Sequence, residues 1–213
     1  MIKDEFGGLP AVQRVEQFRG RVMSVRTDDV DFGDQVHARD YIVHFGAVAV
    51  VAMNDDDQVL VIQQYRHPVA AKTWEIPAGL LDMPDEDPLT AVQRELAEEA
   101  GYLARDWYVL TEYATTPGGS TELIRIYLAR GLNALPERPK TDEAEEQDMP
   151  VAFVGLDELR DAILGGLIAN TSLVVGGLAA LAARSVNWSS LQPPDAPWPM
   201  REHLARNDRI FRP

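Results

Sequence analysis

The 213-residue chain contains no cysteine. Disulfides, a thiol nucleophile and a thiolate metal site are excluded by that one absence. Basic residues are scarce too: 20 Lys and Arg stand against 34 Asp and Glu, for a formal charge of −14. No basic patch stands out that would neutralise a phosphate backbone, which argues against a general nucleic-acid binder. The same charge disfavours docking on an anionic membrane. Long apolar runs are also missing. The longest, Leu173 to Ala183, is too short to span a bilayer and holds two glycines. The start, MIKDEFGG, has no apolar signal core. The expectation is a cytoplasmic protein with one main domain and terminal additions.

What the chain does have is concentrated in Ala78 to Tyr102, AGLLDMPDEDPLTAVQRELAEEAGY. Asp87 and Pro88 read as the N-cap and first residue of a helix, and Gly101 as its left-handed stop. Leu89, Val92, Leu96 and Ala100 recur at helical spacing as an apolar stripe. Glu95, Glu98 and Glu99 project from a different flank, with Glu95 and Glu99 one turn apart. Like charges on one turn oppose helix formation unless something positive sits among them. Arg94 and a downstream basic residue offer that, but they need not converge on the carboxylates. A hard divalent cation with oxygen ligands fits better. The plain alternative is a solvated acidic face. It is the weaker reading here, because Gly79, Arg94 and the capped helix end accompany the glutamates.

Along the rest of the chain, residues 1 to about 20 are weakly periodic. Val22 to Arg26 and Gln35 to Val43 alternate as strands around a turn at Asp31 to Asp34. Phe45 to Met53 (FGAVAVVAM) reads as a buried strand, and Val59 to Tyr65 as its partner across an Asn-Asp turn. Trp107 to Tyr113 and Glu122 to Ala129 flank the turn segment TTPGGST. After a polar loop, Val151 to Val154 predicts a short strand, and Leu156 to Leu164 and Thr171 to Ala183 predict helices. The segment from Ser185 onward is rich in Pro and Trp and lacks periodicity, so an irregular extension is expected. The division expected is 1–43 as a β segment that dimerises, 44–184 as the main domain, and 185–213 as the extension. The fold class is α/β.

The 78–102 stretch resembles the Nudix box, Gly, five residues, Glu, seven residues, then Arg-Glu-apolar-x-Glu-Glu-x-Gly-apolar. Gly79, Glu86, Arg94, Glu95, Leu96, Glu98, Glu99, Gly101 and Tyr102 match. Six residues rather than five separate Gly79 from Glu86, so either the loop carries an extra residue or Asp85 stands in for the Glu. Pro117, sixteen residues beyond Gly101, together with HFGAVAVVAM, QQYRHPV, WEIPAGLLD and EEQDM in that order, is similar to bacterial, actinobacterial-type ADP-ribose pyrophosphatases. The resemblance covers residues 40 to 184. It implies an α/β/α sandwich with a mixed sheet, a small N-terminal β subdomain and a homodimer.

The resemblance also implies an activity: hydrolysis of ADP-ribose to AMP and ribose 5-phosphate, with Mg²⁺ as cofactor and Mn²⁺ as its substitute. Glu95 and Glu99 match the metal-coordinating glutamates, Glu98 is a third contributor, and the Ala78 carbonyl completes the site. Arg66, at the end of a strand, suits the diphosphate, because its fork matches phosphate oxygens. Glu122 matches a position that binds the terminal ribose, with Gly118 in the same turn. Arg39 and Glu75 are further ligand-contact candidates, and Trp74 is assigned to the core. The general base is expected on the 141–149 loop at Glu145 or Glu146, with Glu98 as the fallback. Two alternatives stay open: a pyrophosphatase for another nucleoside diphosphate sugar, and a non-catalytic ADP-ribose sensor.

Overall fold

The computed structural model describes residues 2–139 and 149–212. The described elements are the strands β1 (Ala11–Arg19), β2 (Met23–Asp31), β3 (Val36–His44), β4 (Ala47–Ala52), β5 (Gln58–Arg66), β6 (Ala71–Glu75) and β7 (Ala78–Leu80), the helix α1 (Pro88–Ala100), the strands β8 (Tyr102–Ala114), β9 (Leu123–Ala134) and β10 (Val151–Gly155), and the helices α2 (Leu156–Leu164), α3 (Thr171–Ser185) and α4 (Pro199–Arg206). They form two compact units, each discontinuous in sequence: 47–113 with 124–196, and 1–46 with 114–123 and 197–213.

The larger unit is an α/β structure around β4, whose six residues are all buried. A strand reads as an unbroken apolar run when both faces of its sheet are covered. Ala49, Val51 and Met53 pack with Leu156 and Leu159 of α2 and with Leu173 and Ala180 of α3. The helix α1 packs against β4 and β7. One sheet has the order β7-β4-β9-β8, with β4 parallel to β9 and antiparallel to β7, and is therefore mixed. A second sheet, β10-β5-β6, is antiparallel. Small residues let α3 approach closely: a Cβ on Gly176 would come within 2.9 Å of Val51. Asn170 caps α3 by accepting from the Leu173 amide at 3.0 Å. Trp74 is partly buried against this core.

The smaller unit is the antiparallel meander β1-β2-β3. Its own apolar cluster is small, with Val43, Phe45 and Phe211 buried and Tyr41 packed against them. A buried carboxylate compensates. Asp28 on β2, 1 % exposed, accepts from Arg14 at 2.9 and 3.1 Å, Tyr41 Oη at 3.1 Å and Arg209 at 3.0 Å. The C-terminal segment is thereby tied to the sheet. Arg26 donates to the Asp208 carbonyl at 2.6 Å, and the Phe211 amide donates to the His44 carbonyl at 3.1 Å.

Two expectations are corrected here. Residues 11–19, weakly periodic in sequence, form a strand, and it is exposed along its whole length, so no burial alternation marks it. Residues 199–206 are helical where an irregular segment was expected. Pro199 at the first position suits a helix start, but about two turns are too short to display a period.

Candidate active site

The helix α1 is delimited as its sequence dictates. Asp87 accepts from the Leu89 and Thr90 amides at 3.0 and 3.1 Å, and Gly101 closes the other end at φ +73°. Its buried residues are Ala91, Val92, Glu95, Leu96, Glu99 and Ala100. Two of the three box glutamates therefore belong to the inward face. A solvated acidic stripe is ruled out for them.

Glu95 and Glu99 lie against the strand that precedes the helix. The Ala78 amide donates to Glu99 Oε2 at 2.7 Å. Glu95 lies so close over Gly79 that a Cβ at that position would collide with its carboxylate. That is the local reason for glycine after Ala78: the backbone must admit the acid. Glu98, half-buried, stays at the rim.

Arg94 does converge on the carboxylates. Its Nε and Nη2 grip Glu86 in a fork at 3.0 Å each, while Nη1 reaches Glu95 at 2.7 Å and Glu98 at 3.0 Å. These bonds, led by the one to Glu86, hold the guanidinium still more firmly protonated than usual. The fork involves Glu86 and not Asp85. Glu86 takes the arginine, and Asp85 sits in a turn at φ +64°, where the longer loop is absorbed. Arg94 offsets one of the four negative charges gathered there.

Among the described residues, no three metal-type side chains converge on one point. The donor set is nevertheless of the type a hard divalent cation takes, with two buried carboxylates and a third at the rim all offering oxygen, next to Ala78. Arg66 and Glu75 also lie in this unit, joined by a fork of 3.0 and 2.7 Å, with Glu75 buried. Arg66 is thus held by a carboxylate at the end of β5.

The remaining substrate candidates belong to the smaller unit. Arg39 and Gly118 line a cavity of about 450 Å³ together with Tyr41, Pro117, Met200 and Leu204. Met200 and Leu204 escaped the sequence reading, because nothing in an aperiodic segment signals a cavity wall. Glu122 accepts from Thr115 Oγ1 at 2.7 Å and lies 3.6 Å from His44 Nδ1. Burial pushes the His44 imidazole below its ordinary value, against the opposing pull of Glu122. Glu145 and Glu146 lie outside the described residues.

The NUDIX domain family matches residues 43–169, more than half of the chain. The chain belongs to the Nudix family. The larger unit holds the helix α1 of this Nudix protein, within the matched residues. Among relatives, an ADP-ribose pyrophosphatase of Mycobacterium tuberculosis (strain H37Rv) is 38 % identical over 180 residues, 84 % of this chain and 86 % of that one. An ADP-ribose pyrophosphatase of Bacillus subtilis (strain 168) is 35 % identical over 135 residues, 63 % of this chain and 72 % of its own. In fold, the chain is similar to a solved ADP compounds hydrolase with a TM-score of 0.73, at 20 % identity, covering 87 % of this chain and 98 % of that one. No helix among the described residues is long and apolar enough to cross a membrane.

Proposed function

We propose that this Nudix hydrolase cleaves ADP-ribose to AMP and ribose 5-phosphate, dependent on Mg²⁺ with Mn²⁺ as a substitute. The observation that carries the reading is the burial of Glu95 and Glu99 against Ala78 and Gly79. The two relatives named as ADP-ribose pyrophosphatases support the substrate. Glu95, Glu98, Glu99 and the Ala78 carbonyl would hold the metal. Bound there, divalent cations neutralise charge on the diphosphate oxygens and lower the pKa of water.

The chain's own residues supply the rest. Arg94 fixes the direction of Glu95 and Glu98 and keeps Glu86 against the helix. Arg66, already poised on Glu75, offers a guanidinium of the right shape for phosphate oxygens. Arg39, Gly118 and Glu122 are proposed to meet the nucleoside and ribose parts. The proton of the attacking water goes to Glu145 or Glu146, or to Glu98 if neither serves. A cytoplasmic homodimer joined through the smaller unit completes the proposal. Its support is the exposed apolar side chains of β1.

The test is product analysis with Mg²⁺ on a panel of ADP-ribose, GDP-sugars and UDP-sugars. AMP and ribose 5-phosphate from ADP-ribose, at a kcat/KM above the other substrates, is the expected result. A preference for a GDP- or UDP-sugar moves the substrate. Binding of ADP-ribose without turnover turns the protein into a sensor.

A further inference from the structure

Gln64 on β5 is 5 % exposed, and its Oε1 is buried without a hydrogen-bond partner. Native proteins leave few such atoms, because a buried carbonyl stripped of water and given nothing in return destabilises the fold. The register of β5 and β6 shows what surrounds it. Ile62 lies opposite Glu75, Gln64 opposite Thr73 and Arg66 opposite Ala71. Gln64, Arg66, Thr73 and Glu75 therefore share one face of the sheet. Arg66 and Glu75 stand on either side of the Gln64–Thr73 row, so their ion pair passes over it.

Three donors on the same face are directed to Glu75. Arg66 Nε and Nη2 point to Glu75, and the Thr73 hydroxyl donates to Glu75 as well. What remains is an acceptor in a polar, nearly dry place, under the arginine that suits a diphosphate. We propose that Gln64 is a substrate-contacting residue whose Oε1 accepts from a hydroxyl or amino group of the bound nucleoside diphosphate sugar. This inference rests on the substrate reading above. Ionised phosphate oxygens have no proton to give, so the partner is the sugar or the base. Gln64 thus reads the organic part of the ligand where Arg66 reads its charge.

A side chain kept for a ligand burdens the empty protein, and that sets the test. The Gln64→Met variant of the full chain keeps length and removes the orphan acceptor. Its Tm should equal or exceed that of the wild type. The Kd for ADP-ribose, measured calorimetrically in EDTA, should rise about tenfold, equivalent to about 1.4 kcal/mol. The KM with Mg²⁺ should rise by the same factor, while kcat changes by less than about threefold. Gln64→Asn, one methylene shorter, should weaken binding similarly.

A Kd within twofold of wild type in both variants overturns the contact. So does a Tm lowered by several degrees or a Met variant that does not fold, since either means that the amide is satisfied within the protein. If the wild type binds ADP-ribose without hydrolysing it, the enzymatic reading fails and the Kd comparison still decides Gln64. If the wild type does not bind ADP-ribose at all, both fall.

Discussion

Glu95 and Glu99 are held by different partners, and each partner tolerates an amide in place of the acid. Once the acids are replaced by glutamine, Arg94 can still donate to the side-chain carbonyl at position 95. The Ala78 amide can do the same for the side-chain carbonyl at position 99. Glu95→Gln and Glu99→Gln should therefore fold as the wild type does while losing the charge that a divalent cation requires. Each is expected to lower kcat on the order of 10²–10³-fold, the scale on which loss of one electrostatic stabiliser is felt. Rates at saturating Mg²⁺, beside circular dichroism, check this; near wild-type turnover in either variant removes the metal assignment. At this scale the sequence marked the glutamates as a one-turn cluster, while the burial of Glu95 and Glu99 on the inward face came only with the fold. Arg94's convergence on Glu86, Glu95 and Glu98 was not legible. Side-chain reach depends on the loop before the helix, and spacing does not encode the path of a loop.

The elements that sequence located best are those with strong ends or strong periods. The helix α1 has both, and its N-cap makes a quantitative prediction. Asp87 accepts from two backbone amides and from Thr90 Oγ1, and Asp87→Ala removes all three bonds. Loss of an N-cap typically costs about 1 kcal/mol, which for a chain of this size corresponds to a Tm lower by about 2–4 °C. Differential scanning calorimetry measures it, and an unchanged Tm would mean that the cap does not hold the helix start. The strand β4 was legible for a different reason, since burial on both faces leaves an unbroken apolar run. The opposite held for β1, whose nine residues are all exposed. With no buried face there is no alternation to read. The helix α4 failed on length, its eight residues carrying polar side chains on most sides.

At the scale of the molecule, the smaller unit invites two predictions. Burial of Asp28 opposes its ionisation, yet the bonds from Arg14 and Tyr41 and the charge of Arg209 hold its carboxyl below the usual range. A carboxyl depressed in the folded state stabilises above its unfolded value of about 3.9 and loses that contribution as pH falls through the folded value. Acid unfolding of the wild type should therefore steepen below about pH 4. Asp28→Asn should flatten that limb and lower stability at neutral pH by about 1–3 kcal/mol, toward the low end because Arg14 and Arg209 keep partial exposure. Denaturant titrations from pH 2 to 7 decide it, and parallel curves for the two proteins would dismiss the role. The second prediction concerns β1, an edge strand of its sheet with Val12 at 67 % and Phe18 at 57 % exposure. Side chains of this kind on an open edge call for a cover. Light scattering at micromolar concentration should give twice the 23.6 kDa chain mass. A monomer would sink the dimer.

The tie between Phe211 and His44 has a consequence for how the protein is made. A ribosome releases residue 44 about 170 residues before residue 211, a wait of roughly 8 to 35 s at ordinary elongation speeds. Through most of that interval the N-terminal meander is outside the tunnel without the tail that brings Phe211 to its apolar cluster and adds Arg209 to the Arg14 already on Asp28. The strands of the catalytic unit, all earlier in the chain than residue 197, can collapse first. Nascent chains therefore carry an unfinished N-terminal sheet until residue 211 has been made, and that sheet is what a chaperone would meet.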